Sequence, residues 1–139
     1  MRHLLLLLLI IMCPKAFSFS NPLKACPDKP NCVYSKAKDE HAIEPLIIKG
    51  GSRLNTNAII EAIKQVEANV TVVVKKGHIH AEVTSRVFGF IDDLDLIFNA
   101  KENTLHVRSA SRKGHYDFGV NRRRIEKLRK RLKKAGIIQ

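Results

Sequence analysis

Residues 70–87 read VTVVVKKGHIHAEVTSRV. Val70 to Lys75 is mostly β-branched, which suits a pleated, half-buried surface. Lys76-Gly77 then interrupts the run. From His78 the polarity alternates: Ile79, Ala81, Val83, Ser85 and Val87 share one side, and His78, His80, Glu82, Thr84 and Arg86 the other. A period of two belongs to a strand. A two-residue break ending in glycine between two such runs signals a hairpin. The stretch therefore predicts strands over 70–75 and 78–87, paired antiparallel, with one apolar and one polar face.

The flanks complete the pattern. Upstream, Ile59, Ala62, Ile63 and Val66 recur at helical spacing behind the cap candidates Asn55-Thr56-Asn57, predicting a helix that stops near Asn69. Leu46-Ile47-Ile48 offers a short strand before Gly50-Gly51-Ser52, and residues 21–38 read as a polar, extended arm. Downstream, 92–98 and 104–112 alternate on either side of a turn at Lys101-Glu102-Asn103. Residues 114–119 read as a loop. Ile125, Leu128, Leu132 and Ala135 then predict a last helix over 120–135. Short turns favour a meander. The expectation is an α+β fold: an antiparallel four- to five-stranded sheet with two helices packed on one face.

The chain opens MRHLLLLLLIIMCPKAFSFSN. A basic start, nine apolar residues from Leu4 to Met12, and small residues at Ala16, Ser18 and Ser20 follow the order of a secretory signal peptide. The run is too short to span a bilayer, which takes ~20 apolar residues. Residues 1–20 are thus expected to be a leader cleaved after Ser18 or Ser20, and 21–139 a single domain. Cys13, preceded by bulky Met12 where lipidation calls for a small residue, is read as leaving with the leader. The protein is then exported: periplasmic, envelope-associated or secreted.

That compartment bears on CPDKPNC at 26–32. The gap between Cys26 and Cys32 is wider than that of zinc knuckles and is not the redox spacing Cys-x-x-Cys. A lone pair in an oxidising compartment reads as a structural disulfide. The chain has 25 Lys and Arg against 13 Asp and Glu, a net charge of +12. Losing Arg2 and Lys15 with the leader leaves +10. Such a balance calls for anionic surroundings: lipid head groups, envelope polymers or acidic proteins, and not nucleic acid outside the cytoplasm. No cofactor is expected, and the chain is read as a monomer.

The polar sheet face is loaded. His78 and His80, with His106 from another strand, have a spacing that suits zinc or copper. Half-exposed histidines on a wet face are the preferred reading, and no metal is assigned. Asp92 and Asp93 neighbour one another in a strand and so point to opposite faces. Arg86, Arg108 and Arg112, beside Ser85, Ser109 and Ser111, could hold a carboxylate or phosphate by bidentate hydrogen bonds. Cross-strand pairing, Glu82 with Arg108 and Arg86 with an aspartate, is an equal alternative. There is no Ser/His/Asp order, nucleophile elbow or phosphate-cradling glycine loop. The segment NRRRIEKLRKRLKK at 121–134 has nine basic residues and one acid, Glu126. A helix so unbalanced forgoes pairs at i,i+4 and suggests association with a membrane surface.

CPDKPNCV, HAE at 80–82, SR at 85–86, DD at 92–93, HVRSASRKG at 106–114 and DFGVNRRRIE at 117–126 resemble the domain-of-unknown-function 1499 (DUF1499) family over about residues 23–134. The family has no settled biochemical role. The resemblance implies a small exported or membrane-attached protein. It also singles out Asp117, Asn121 and Arg122 together with Arg86, Arg108, Ser109, Ser111 and Arg112. These are expected to converge at the start of the last helix, with Arg112 beside Asn121 and Arg122 as an anion site; a buried ion-pair network is the rival. The expected function is a binding module for an anionic ligand, a lipid head group or envelope polymer. The alternatives are a hydrolase of envelope material working through an Arg/Asp/His cluster, and an assembly factor for a membrane protein.

Overall fold

A computed structural model describes residues 23–50 and 53–139; the leader read at 1–20, with Cys13, lies outside the described residues. The elements are β1 (Cys32–Tyr34), β2 (Leu46–Ile47), α1 (Thr56–Val66), β3 (Val70–Lys75), β4 (His78–Thr84), β5 (Ile91–Asn99), β6 (Thr104–Ser111) and α2 (Val120–Lys134). The fold is α+β. Strands β3 to β6 form an antiparallel meander, and the order across the sheet is β1-β6-β5-β4-β3, with β2 also on β6.

The hairpin at 70–84 forms as read, with Val74 opposite Ile79 and Lys75 opposite His78. Lys76 (φ 47°) and Gly77 (φ 77°) both lie in the left-handed region, which a two-residue turn of matching twist requires. The sheet gains a strand where an arm was expected. β6 would otherwise leave one edge open, and two short segments cover it: Cys32–Tyr34 against Arg108–Ala110, and Leu46–Ile47 against Thr104 and Leu105. Cys26 and Cys32 are joined by a disulfide that ties the start of β1 to the preceding loop.

Both helices pack on one face. Ile59, Ala62 and Ile63 of α1 and Ile125, Leu128 and Leu132 of α2 share a buried cluster with Ile79, Ala81, Leu94, Leu96, Leu105 and Val107 of the sheet. Asn55 caps α1 by accepting from the Ala58 amide at 3.1 Å. The chain's end returns to β2, where Gln139 N donates to Ile47 O at 3.0 Å. No helix among the described residues is long and apolar enough to cross a membrane.

Register fixes the opposite face. One row runs Tyr34, Arg108, Asp95, His80, Val73 across the sheet; the next runs Ala110, Asp93, Glu82, Thr71. Asp92 and Asp93 do point to opposite sides: Asp92 meets Arg124 on the helix side, Asp93 meets Arg112 on the other.

Candidate anion site and the network beside it

The start of α2 is built around Asn121, which has no solvent exposure. Asp117 prepares it: its carboxylate accepts from Gly119 N at 2.8 Å and Asn121 N at 3.0 Å, closing the first turn in place of a side-chain cap. Gly119 itself has φ 74°, and a Cβ there would lie 3.1 Å from Arg123 Nη1, so the turn needs glycine. Asn121 Oδ1 accepts from Ser109 Oγ and from Arg124 Nη1, both at 2.6 Å. Its amide nitrogen lies 2.9–3.0 Å from Asn31 O, Ser111 Oγ and Asp117 Oδ2. Arg124, 4% exposed, completes the group through Nε to Glu67 at 2.8 Å and Nη2 to Asp92 at 2.7 Å.

Four of the sequence-predicted residues, Ser109, Ser111, Asp117 and Asn121, therefore converge as expected. Their hydrogen bonds are turned inward and join β6, α2 and the residue before β1, and Arg124 extends the group to β5 and to the C-cap of α1. Such a network fixes how the helices seat on the sheet. Arg122 is drawn away from it and donates to Ala42 O at 2.8 Å and Glu40 O at 2.9 Å. Arg129, seven residues on, does the same to Pro45 O at 2.9 Å and Glu44 O at 2.6 Å. The two arginines clamp the 40–45 segment to α2.

Arg112 is not beside Asn121. Its amide continues the ladder to Ile91 O at 3.0 Å, so strand alternation carries its side chain to the face opposite Ser111. There it grips Asp93 at 2.7 Å and also Glu82. Asp93 first, then Glu82, hold the guanidinium above its ordinary range. Arg108, read as the partner of Glu82, finds it engaged, and its Nε is buried with no hydrogen-bond partner among the described residues. On the same face His78 Nε2 and His80 Nδ1 meet Asp95 Oδ1 at 3.0 and 2.7 Å. The hydrogen bond that His80 donates to Asp95 raises the His80 pKa, opposed by burial and aided by the charges of Asp95, Asp93 and Glu82. His106 is turned away, 3.2 Å from Glu102 and 3.4 Å from Ser35.

Arg86 lies outside the strand assigned to it. β4 ends at Thr84, and Ser85 closes a turn in which its amide donates to Phe90 O at 2.8 Å while its hydroxyl accepts from Phe90 N at 3.0 Å. The turn places Arg86 in the wall of an open pocket of about 510 Å³ between the end of α1 and the start of α2. The wall holds Lys64, Arg86, Arg123, Arg124 and Lys127 against Glu67 and Asp92. Both carboxylates are already bound to Arg124. Lys64 also reaches Glu61 at 3.1 Å, while among the described residues Arg86, Arg123 and Lys127 have no ion-pair partner. The lining is thus net cationic and of a size that suits a small ligand.

Apolar side chains stand out at the same end of the sheet. Thr84 opposes Ile91 and Asp92 opposes Ser111, so the 85–90 turn and the 112–119 loop leave the sheet together. The turn carries Phe88 (73% exposed) stacked on Phe90 with centroids 5.5 Å apart. The loop carries Phe118 (78% exposed) edge-on to Tyr116 at 5.4 Å.

Lys64, Arg123 and Lys127 were missed as pocket residues because the pocket joins two helices whose packing no local pattern reveals. Arg124 left a readable trace: with Asn121, Ile125, Leu128 and Leu132 it lies on the inward stripe at spacings of three and four. A family model described as "Protein of unknown function (DUF1499)" matches residues 22–132 of the 139-residue chain. No curated protein and no solved structure matches it.

Proposed function

The chain belongs to the DUF1499 family, whose function is unknown, and from its own surface we propose that it is an exported binding module for the phosphate-bearing head group of anionic lipid. The observation that carries this reading is the joint position of the cationic pocket and the exposed aromatic pairs at one end of the molecule. Arg86, Arg123 and Lys127 supply charge and donors for a phosphate. Phe88, Phe90 and Phe118 supply apolar rings suited to the boundary between head groups and acyl chains. A net charge of +10 once Arg2 and Lys15 leave with the leader draws the protein to an anionic surface before contact.

Co-sedimentation with vesicles tests the proposal. The protein should pellet with phosphatidylglycerol vesicles and not with phosphatidylcholine ones, and added salt should weaken binding. Arg86→Glu with Lys127→Glu should abolish it, and Phe88→Ser with Phe118→Ser should weaken it. Equal binding to both vesicle types, or indifference to both pairs of substitutions, overturns the reading. Binding to a soluble polyanion but to neither vesicle assigns the pocket to an envelope polymer instead.

A further inference from the structure

The face of the sheet turned away from the helices holds a second constellation, independent of the pocket. His78 and His80 point the same way along β4, and Asp95 stands directly across from His80 on β5. One ligand atom from each residue lies within 4.8 Å of the other two. His78 Nε2 and His80 Nδ1 are 3.0 and 2.7 Å from the same carboxylate oxygen. In a tetrahedral zinc site, with bonds near 2.0–2.2 Å, ligand atoms lie about 3.3 Å apart. Small rotations of these side chains would therefore admit a cation between them.

We propose that His78, His80 and Asp95 form a binding site for a divalent first-row transition ion of the zinc class, with two imidazole nitrogens and one carboxylate oxygen as ligands. Three features of the surroundings support this. The ligands sit on paired strands, a rigid base that holds their spacing. His80 uses Nδ1 toward the ion, and its other nitrogen is 3.7 Å from Asp93 and 4.0 Å from Glu82. A carboxylate behind a ligating imidazole sets its tautomer and orientation. Arg112 in turn holds Asp93 and Glu82, which keeps them behind the imidazole as supports. Asp95 is 4% exposed, so its charge is screened little and acts strongly on a cation. The cations nearby are Arg108, the register partner of Asp95, and Lys75, the register partner of His78. Both oppose binding and lower its affinity. Imidazole with carboxylate favours zinc, copper, nickel or iron over magnesium or calcium.

Calorimetric titration of the full chain with Zn²⁺, and optical titration with Co²⁺ as a spectroscopic probe, test the site. The expected result is one equivalent bound, with Co²⁺ giving visible bands of a nitrogen–oxygen set, and no binding by His80→Gln or Asp95→Asn. His106→Gln should bind as the unchanged protein does. In case the variants fold poorly, imidazole NMR of the unchanged protein gives a second reading: Zn²⁺ should move the ring signals of His78 and His80 and leave those of His41 and His115 in place. Absence of binding overturns the proposal, as does retention of binding by both variants or movement confined to His106 or His115.

Discussion

Three consecutive arginines at the start of α2 have three different tasks. Arg122 clamps backbone carbonyls of the 40–42 segment, Arg123 borders the pocket, and Arg124 is buried between Glu67 and Asp92. The cause is the turn of about 100° between successive helical residues, which sends neighbours to different surroundings. Free energies should differ accordingly. Arg124→Met leaves two poorly exposed carboxylates without their partner and should lower stability by about 3 kcal/mol. Arg112→Ala breaks a pairing that is partly open to water and should cost at most about 1 kcal/mol. Arg108→Met removes a side chain whose buried Nε has no acceptor among the described residues and should be close to neutral. Urea denaturation of the three variants checks the order. A loss for Arg108→Met as large as that for Arg124→Met would contradict the assigned roles. The family resemblance made Ser109, Ser111, Asp117 and Asn121 visible as a group because they sit in the neighbouring strings at 106–114 and 117–126. It did not show that their hydrogen bonds are used up internally, since burial depends on α1 arriving from elsewhere in the chain.

At the scale of elements, the hairpin and the two helices were legible because each carries a clean period. β1 was not: Cys32–Tyr34 is three residues long and becomes a strand only because β6 presents an open edge. The disulfide adds to that attachment by shortening the loop before β1. Replacing Cys26 and Cys32 by serine should lower stability by about 2 kcal/mol, the chain-entropy value for so small a loop. Thiol alkylation of the purified protein followed by mass spectrometry should label neither Cys26 nor Cys32 until reductant is added. α2 yields a further expectation. Its 15 residues span roughly 22 Å, more than twice the ~8 Å over which charge is felt at physiological salt. Reversing Lys130, Lys133 and Lys134 should therefore weaken vesicle binding much less than reversing Arg123 and Lys127. Equal effects would mean that the whole helix, and not its first turns, meets the surface.

At the scale of the molecule, the composition was informative and the location of the surface was not. A strong positive charge pointed to anionic partners, yet two of the four arginines singled out in the sequence are committed, Arg112 to carboxylates and Arg122 to carbonyls, while Arg124, not among them, is held inside the network. The surface that remains is made of Arg86 with Phe88 and Phe90 from one turn, Tyr116 and Phe118 from a loop about thirty residues later, and side chains of both helices. These meet only because the meander brings the start of β5 and the end of β6 to the same end of the sheet. No local pattern records that meeting. Whether this end takes an anionic lipid head group can be read from backbone amide NMR signals followed while short-chain phosphatidylglycerol is added below its micelle concentration. The signals that move should lie in 64–69, 84–90 and 118–127, and short-chain phosphatidylcholine should move far fewer of them. Changes confined to the Asp93–Arg112 face or to Lys130–Lys134, or equal responses to the two lipids, would contradict binding at this end.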